Sequence, residues 1–421
     1  MKKITAALIG AGNRGTGYGK YAIDNANANE IEFVAVAEPI DGRRNKFKDE
    51  HGIKEEKCFV GWKELLEQPR MADAVLICTQ DQMHFEPTMK ALELGYHVLL
   101  EKPMSMEPSE CIKMGEYAKE HERVFSICHV LRYTNFFYTL KKLLEESTIG
   151  RLVSVQHNEN VAHWHQAHSF VRGNWRNSEE SSPMILQKCC HDMDILRWLI
   201  GAECVNVSSF GSLTYFKDEN APEGAPMRCL DGCPVAKDCP YYAPKTYLTE
   251  NVGWPTSVIS TDTSIEARTK ALKEGPYGRC VYHCDNNVVD HQVVNMEFEN
   301  EVTVAFTMCA FTQKQSRTMK FMGTKGEIRA TMEKNEIEII DFITGNKNVI
   351  HLSNASSGHG GGDYGIMEDF IKLVQHDGKK QGRTSALTSV QSHLIAFAAE
   401  KARVEKRVIN MKELVDSIKS L

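Results

Sequence analysis

The sequence predicts an α/β domain with a parallel sheet, followed by an α+β domain with a large, mainly antiparallel open sheet. Over residues 1–127, short β-branched apolar runs alternate with helical patterns, a rhythm typical of βαβ units. Over residues 128–421, strand-like runs follow one another with turn residues between them, which is typical of antiparallel sheets. A chain of 421 residues also exceeds what one core usually supports. We therefore expect two domains.

The predicted strands of the first domain are five apolar runs: "ITAALIG", "EFVAVAE", "DAVLICT", "HVLLEKP" and "VFSICHV". Segments between them, such as "FEPTMKALELG" and "SECIKMGEYAKEHE", carry helical spacing. This order predicts a parallel sheet with helices on both faces.

The second domain contains strand-like runs such as "LVSVQHN", "VTVAFTMCAF" and "IEIIDFI", and two interruptions. One is an insertion at about 217–285 that is rich in Cys, Pro, Gly and Tyr. The other is the small-residue loop "SNASSGHGGGDYG", which runs into a helical pattern. The segment "SVQSHLIAFAAEKARVEKRVIN" predicts a helix followed by a short strand.

The composition of the chain argues against nucleic acid and anionic membranes as binding partners. Hydrophobic residues make up 42% of the chain, charged residues 25%, and the formal net charge is −6. These values give no electrostatic footprint for nucleic acid or an anionic membrane, and no apolar segment approaches the roughly 20 residues that span a bilayer. We read the opening "MKKITAALIGAG" as a first strand. Thirteen cysteines without an export signal indicate a reducing compartment, so we expect a cytoplasmic protein with a small-molecule substrate.

A dinucleotide-binding pattern follows the first strand. Gly10, Gly12 and Gly15 have G-x-G-x-x-G spacing, in which the glycines allow a tight turn, close approach of a pyrophosphate and close helix packing. Glu38 ends the second strand, where its carboxylate can bind the adenosine ribose hydroxyls and repel a 2′-phosphate. The pattern predicts a Rossmann domain that binds NAD rather than NADP, although Arg43 and Arg44 could serve a 2′-phosphate.

Three stretches carry a family resemblance: "GAGNRG", "DAVLICTQDQMHFEPTMKALELGYHVLLEKPMS" and "HDMDILRWLIG", in this order. With them the chain resembles the Gfo/Idh/MocA oxidoreductases, named after glucose-fructose oxidoreductase and inositol dehydrogenase. The resemblance implies an NAD(P)-dependent dehydrogenase that acts on CH–OH groups of sugars or polyols. It also implies further cofactor contacts at Asn13, Arg14, Thr79, His84, Glu101 and Lys102.

Lys102 is the most specific point of this resemblance. In the family, the lysine that follows the strand corresponding to "HVLLEKP" reaches the substrate hydroxyl beside the nicotinamide. The residues agree with this role. Lys102 follows the run "YHVLL", and open α/β sheets bind ligands at the carboxyl ends of their strands. An ammonium there can orient a hydroxyl and stabilise a developing alkoxide.

The stretch "ILQKCCHDMDILRWL" departs from the family pattern. Many members carry a D-x-x-x-H pair for proton transfer, and alignment on "DILRWL" places His191 on the histidine and Gln187 where the aspartate stands. Glutamine does not exchange a proton at neutral pH. We therefore expect His191 to act as the main acid/base, either without its usual partner or with Lys188 or Asp192 in that role, and Asp194 to cap or pack against the helix.

Several polar residues are candidate substrate contacts. The resemblance places His129 and Arg132 near the substrate at the crossing into the second domain, and places His359 on a substrate loop, "GHGGGD". His163 and His165 share one face if they lie on a strand, as a polar substrate wall or, as a minority reading, a metal pair. Gln187 completes the predicted substrate set.

The insertion carries five cysteines: Cys229, Cys233, Cys239, Cys280 and Cys284. Their surroundings are polar and proline-rich, so a structural Zn²⁺ is expected to tie together a loop too small to own a core. An iron–sulfur cluster and unligated thiols are the alternatives, and His283 is a possible substitute ligand.

Three functions remain open from the sequence. The first is NAD-dependent oxidation of a sugar, a sugar derivative or a cyclitol. The second is a redox-neutral glycosidase or lyase that works through a keto intermediate, and the third is a non-catalytic cofactor-sensing protein. The family resemblance also implies a homo-oligomer, a dimer or a tetramer.

Overall fold

The computed structural model describes residues 2–24, 26–353, 358–376 and 382–420. Its first sheet has six strands in the order β3-β2-β1-β4-β5-β6, and all of them are parallel. This arrangement confirms the predicted parallel α/β sheet. The sheet consists of β1 (Ile4–Ile9), β2 (Ile31–Ala37), β3 (Cys58–Phe59), β4 (Ala74–Ile77), β5 (His97–Leu100) and β6 (Phe125–Ile127).

Helices connect these strands, as the spacing of apolar residues predicts. The helix after β5 begins with Pro108 at its first turn, where a missing N–H costs nothing. The last helix of this region follows β6 and leads into the second sheet. These helices are α1 (Asn13–Ile23), α2 (Asp41–His51), α3 (Trp62–Leu66), α4 (Phe85–Glu93), α5 (Pro108–Glu120) and α6 (Asn135–Glu145).

Gly10 and Gly15 explain how β1 passes so tightly into α1. Gly10 has φ of +93°, and a Cβ there would lie 2.6 Å from the carbonyl oxygen of Cys78 at the end of β4. A Cβ on Gly15 would collide with the carbonyl oxygen of Gly10. Only glycine satisfies both positions, because they need a left-handed conformation and a close backbone approach.

The second sheet has nine strands in the order β14-β13-β12-β11-β7-β10-β9-β8-β15. Every neighbouring pair is antiparallel except β7 and β10, which confirms the mainly antiparallel prediction. Burial alternates residue by residue along β9, so one face packs on the core. The strands are β7 (Leu152–Asn160), β8 (Cys204–Ser212), β9 (His291–Phe298), β10 (Thr303–Cys309), β11 (Ser316–Gly323), β12 (Gly326–Thr331), β13 (Glu336–Asp341), β14 (Lys347–His351) and β15 (Ile409–Asn410).

Helices of the C-terminal half return to the first sheet. Ile366 and Phe370 of α12 join the same buried apolar cluster as Ile4 and Phe33, and α13 packs against α5. The helices after β7 are α7 (His163–His165), α8 (Met184–Gln187), α9 (Cys190–Ile200), α10 (Ala243–Tyr247), α11 (Ile265–Glu274), α12 (Gly362–Gln375), α13 (Ala386–Glu405) and α14 (Met411–Lys419). Among the described residues, no helix is long and apolar enough to cross a membrane.

The segment after β7 differs from the sequence-based expectation. His163 and His165 lie in the short helix α7, which continues as π-helical turns over Gln166–Arg172. The two histidines therefore do not share a strand face. π-Helical turns are uncommon and concentrate at functional sites.

Candidate active site

The glycine loop leaves room for a dinucleotide. Gly12 caps α1, and Asn13 is the first residue of that helix. A Cβ on Gly12 would have only Arg43 Nη1 within reach, at 4.0 Å, so the space above this glycine is open. A helix N-terminus with open space beside it suits a pyrophosphate, and these residues fit the NAD that the glycine pattern predicts.

Glu38 holds this loop in place. Its carboxylate accepts hydrogen bonds from the backbone N–H groups of Ala11 (2.8 Å) and Ile40 (3.0 Å). Arg44 donates to the Glu38 carbonyl oxygen at 2.6 Å and pairs with Asp41, whereas Arg43 Nη1 would lie 4.0 Å from a Cβ on Gly12. Glu38 is thus beside the predicted ribose position, and the preference for NAD over NADP stays a prediction.

Arg14 joins three parts of the chain. Its guanidinium donates to Glu101 (2.6 Å) and to Asp363 (2.9 and 3.1 Å), and it also bonds the Tyr18 hydroxyl. Burial alone would raise the pKa of Glu101, but Arg14 and Lys102 lower it. Two predicted cofactor residues, Arg14 and Glu101, are therefore paired with each other. Asp363, which the sequence places with His359 on the predicted substrate loop "GHGGGD", ties the start of α12 to the glycine loop.

Thr79 and His84 organise the turn after β4. The buried His84 ring has one nitrogen 2.6 Å from the carbonyl oxygen of Pro103 and the other 3.2 Å from that of Thr79. The Thr79 hydroxyl donates to the Met83 carbonyl at 3.0 Å. His84 thus holds the backbone next to Lys102.

Lys102 extends from the carboxyl end of β5 towards the second domain. Its Nζ donates to the main-chain carbonyl oxygen of Gln187 at 2.7 Å. The Gln187 side chain donates instead to the Trp175 carbonyl at 2.9 Å. The residue in the aspartate position therefore positions Lys102 through its backbone.

His191 lies at the start of α9 and is 7% exposed. Its Nδ1 is buried and has no hydrogen-bond partner among the described residues. Burial, followed by the nearby charge of Lys102, holds the pKa of His191 well below its ordinary value of 6.5. The imidazole is therefore neutral at pH 7 and is able to accept a proton.

Two further predicted histidines lie beside His191. The ring centroids of His129 and His359 are 5.9 and 6.3 Å from that of His191. Both ring nitrogens of His129 are buried without a partner in the described structure, and burial lowers its pKa to about 4. The structure thus gathers Lys102, His129, His191 and His359 at one junction.

Arg132, by contrast, is bound beneath α9. Its guanidinium makes two 2.6 Å hydrogen bonds to Asp194, and both side chains are almost fully buried. Asp194 also accepts from Ser392 at 2.8 Å. Asp194 packs as expected, and these bonds direct Arg132 to the core of the second domain.

Lys188 belongs to a buried charge network. Its Nζ lies 3.2 Å from Glu159 Oε1, and Arg317 Nη2 lies 2.9 Å from the other oxygen of Glu159. Arg317 also donates to Asp192 at 2.8 Å, and His157 Nε2 lies 2.7 Å from the same carboxylate. Although burial alone would raise the pKa of Asp192, Arg317 and His157 hold it well below its ordinary value. Asp192 is thus a permanent anion, which leaves Lys188 as the second acid/base candidate.

Glu159 and Arg317 were missed by the sequence reasoning, and His157 was noted there only as one of several clustered histidines, although β7 carried a signal. His157 and Glu159 stand two residues apart and are both fully buried, so they share the core-facing side of one strand. Two polar residues on such a face indicate a buried network. Arg317 comes from β11, which pairs with β7, and nothing local in the sequence announces that pairing.

His163 and His165 contact aromatic side chains of the insertion. The His163 ring centroid is 5.7 Å from that of Tyr241, and the His165 centroid is 5.1 Å from that of Trp254. Burial and then the charge of Lys188 hold the pKa of His165 well below 6.5. His165 therefore lies between the insertion and Lys188.

The predicted metal centre in the insertion is not supported. Within the described ranges, no group of three or more His, Cys, Asp or Glu side chains is arranged to hold a metal ion. Cys229, Cys233, Cys239 and Cys280 line one small cavity, and burial raises the thiol pKa of Cys239 and Cys280, and that of Cys284 to about 11. Burial thus favours the neutral thiol at Cys239, Cys280 and Cys284.

The expectation of a structural zinc site was wrong because the insertion has a small apolar core of its own. Two small apolar clusters enclose the cysteines. Tyrosine and cysteine are apolar enough to build such a core when their polar atoms find partners. The first cluster holds Phe216, Tyr241, Cys280 and Tyr282 with Ala167 and Val171, and the second holds Cys229, Ala243, Tyr247, Leu272 and Tyr277.

Comparison with known proteins identifies the family of this chain. Residues 4–129 match the model of an oxidoreductase family with an NAD-binding Rossmann fold, and residues 141–411 match that family's C-terminal alpha/beta domain. The chain belongs to the Gfo/Idh/MocA oxidoreductase family. The resemblance read from the sequence is thereby confirmed.

Individual relatives of this Gfo/Idh/MocA member are distant. YteT of Bacillus subtilis is 24% identical over 363 residues, which cover 81% of this chain and 82% of YteT. The scyllo-inositol 2-dehydrogenase (NAD(+)) of Bacillus subtilis is 26% identical over 215 residues, covering 50% of this chain and 58% of that enzyme. A solved levoglucosan dehydrogenase in complex with NADH superposes with a TM-score of 0.72 at 18% identity, covering 97% of this chain and 99% of that chain, which shows a shared fold.

Proposed function

We propose that this protein oxidises a hydroxyl of a sugar, a sugar derivative or a cyclitol, with NAD as the hydride acceptor. The observation that carries the proposal is the pairing of Lys102, held at 2.7 Å by the Gln187 carbonyl, with the neutral, buried His191. The relative that acts on scyllo-inositol and the open space over Gly12 support it.

The residues divide the reaction between them. Lys102 Nζ orients the substrate hydroxyl and stabilises the oxygen as negative charge develops. The His191 imidazole accepts the hydroxyl proton. NAD, which the glycine loop around Gly12 would hold, would supply the hydride acceptor, so that a C–H and an O–H bond of the substrate break and a C=O bond forms. Lys188, held by Glu159, is the second group able to exchange a proton in this pocket.

The test follows the absorbance of reduced cofactor with NAD and a panel of sugars, sugar derivatives and cyclitols. Replacing Lys102 by Met is expected to lower kcat/KM by about 10²–10⁴-fold, the range for a positioned proton-handling or electrostatic group. Lys119→Met, an exposed position on α5, is the matched control and should match the wild type. Absence of turnover on the whole panel by protein that binds NAD would contradict the proposal.

A redox-neutral elimination is the second candidate, and the specific observation in its favour is the additional ammonium of Lys188 close to Glu159. Elimination after transient oxidation needs a further acid/base group. The same assay separates the two reactions, because elimination releases aglycone or water without accumulation of reduced cofactor. Intact Lys102 and His191 weigh against a non-catalytic sensor.

A homo-oligomer remains part of this proposal. The outward face of the nine-stranded sheet carries apolar side chains at neighbouring positions, with Phe210 of β8 opposite Val293 of β9. Phe210 is 65% exposed. Exposed apolar pairs on a broad sheet are typical of a surface that a second copy covers.

A further inference from the structure

We propose that Trp254 and Trp164 form a subsite for a second, neutral ring of the substrate, so that the preferred substrate is a glycoside or disaccharide rather than a free monosaccharide. This inference rests on the proposed sugar oxidation and names its substrate class. The site combines one tryptophan of the insertion with one tryptophan of α7.

Trp254 is a large aromatic residue held in an open position. It is 43% exposed, although its ring packs against three others. The ring centroids of His165 and His168 lie 5.1 and 5.6 Å away at nearly perpendicular angles, and that of Trp164 lies 5.4 Å away. Trp164 is itself only partly buried. Two adjacent accessible indoles offer an apolar platform with little conformational freedom to lose.

The insertion's own core supports this platform. His168 Nδ1 lies 2.7 Å from the Tyr247 hydroxyl oxygen, and the His168 ring stacks on Tyr277 with centroids 4.9 Å apart. Tyr247 and Tyr277 belong to the apolar cluster of the insertion. Trp254 is therefore positioned before any ligand binds, and preorganisation of this kind favours affinity.

The platform is continuous with the candidate active site. His165 contacts Trp254, and the charge of Lys188 lowers the pKa of the same histidine. A second route runs through aromatic contacts from His165 to Phe170 and on to Trp175. The Trp175 carbonyl holds Gln187, and the Gln187 carbonyl holds Lys102. These contacts join the platform to the residues that hold Lys102, which is the basis for placing a second ring of the substrate on the tryptophans.

The surroundings of the platform favour a neutral ring. Burial lowers the pKa of His168 to about 4 and holds that of His165 well below 6.5, so both histidines next to Trp254 are uncharged at pH 7. Next in the chain, Gln166 is fully buried with neither amide atom partnered in the described structure. Apolar ring faces beside uncharged imidazoles suit a sugar ring.

The experiment is a calorimetric titration of the full-length protein in the presence of NADH, which allows binding without turnover. The probes are matched pairs for several hexoses: the methyl glycoside and the disaccharide with the same non-reducing sugar. The wild type is expected to bind at least one disaccharide about tenfold more tightly than its methyl glycoside. Trp254→Ala should remove that advantage and leave methyl glycoside affinity within about twofold.

Two control variants test whether the effect of Trp254→Ala is due to the loss of its aromatic ring. Val252→Ala changes an exposed residue of the same loop and should leave both affinities unchanged. Trp254→Phe keeps an aromatic face and should retain most of the preference for the disaccharide over the methyl glycoside. This variant tests the subsite even if Trp254→Ala folds poorly. Equal binding of both probes by the wild type, or equal loss of both in Trp254→Ala, would overturn the subsite.

The results distinguish a failure of the subsite from a failure of the proposed oxidation. If methyl glycosides are oxidised but no disaccharide preference depends on Trp254, the oxidation stands and the subsite fails. If the Trp254-dependent preference is present but no probe reduces NAD, the subsite stands and the oxidation fails.

Discussion

At the scale of single residues, the candidate site depends on a histidine that stays neutral without the aspartate that its relatives use. Gln187 contributes a main-chain carbonyl to Lys102, and its side chain binds elsewhere. Burial and the charge of Lys102 act in the same direction on His191, and both disfavour the imidazolium. A carboxylate partner would oppose them, so the Gln187 position lets His191 remain unprotonated further into the acid range.

This electrostatic balance predicts the pH profile of the proposed oxidation. Because the pKa of His191 is held well below 6.5, acidification from pH 8 to about 6.5 should leave its imidazole unprotonated. The acidic limb of kcat/KM, which reports the free enzyme, should therefore lie below pH 6.5. The measurement is the initial rate of cofactor reduction across this range, with circular dichroism to show that the fold persists. A limb centred at or above 6.5 would assign the base to another group.

At the scale of elements, the turn from β1 to α1 separates structural from cofactor-binding glycines. Replacing Gly12 by Ala should leave the fold intact, because the new Cβ meets only Arg43 Nη1, at 4.0 Å. It should nonetheless weaken NAD binding by about tenfold or more, because the methyl group occupies space needed by the pyrophosphate. Gly10→Ala is the matched comparison: its φ of +93° and a 2.6 Å approach to the Cys78 carbonyl predict loss of folding stability, by a few kcal/mol.

The two variants are compared by chemical unfolding without cofactor and by titration with NADH. Loss of stability in Gly12→Ala similar to that of Gly10→Ala would show that Gly12 serves the turn rather than the cofactor. Unchanged NADH affinity in Gly12→Ala would place the pyrophosphate elsewhere.

Elements were predictable wherever the signal was local. The five apolar runs of the first domain became strands of one parallel sheet, because alternation with helices is visible within a few dozen residues. The sequence did not decide whether the histidines after β7 lie on a strand, since α7 and the following π-helical turns have no strong local pattern. The prediction for the insertion was wrong because aromatic residues and cysteines make up more of its core than the aliphatic residues that usually indicate a core.

At the scale of the whole molecule, the site is assembled by contacts that no local pattern reports. Arg14 meets Asp363 across 349 positions of the chain, and α12 joins the apolar cluster of the first sheet. Lys102 and Gln187 are separated by 85 positions. The family resemblance implied only that Lys102 and Gln187 belong to the same site. The charge network around Glu159 required the pairing of β7 with β11, which the three-dimensional structure alone reveals.

At the same scale, the folding stability of the whole molecule should depend on pH because of its buried histidines. Burial lowers the pKa of His129 and His168 to about 4 and that of His393 to about 3. In the unfolded chain each titrates near 6.5, so the unfolded state takes up protons first as the pH falls. Stability should therefore decrease below pH 6.5, by about 1.4 kcal/mol per pH unit for each such histidine. Buried Asp192 and Asp363, whose pKa values are depressed, stay ionised in this window and do not contribute.

His393 offers the cleanest test, because it lies in α13 and accepts a hydrogen bond from the Met104 backbone at 2.9 Å. His393→Gln keeps an acceptor there but removes one titrating group. Between pH 7.5 and 5.5, this variant should lose about 1.4 kcal/mol less free energy of unfolding than the wild type. His351→Gln, at an exposed position of β14, should lose as much as the wild type. The comparison is made by urea unfolding at both pH values, and an equal pH-dependent loss in His393→Gln and the wild type would mean that His393 is protonated in the folded protein.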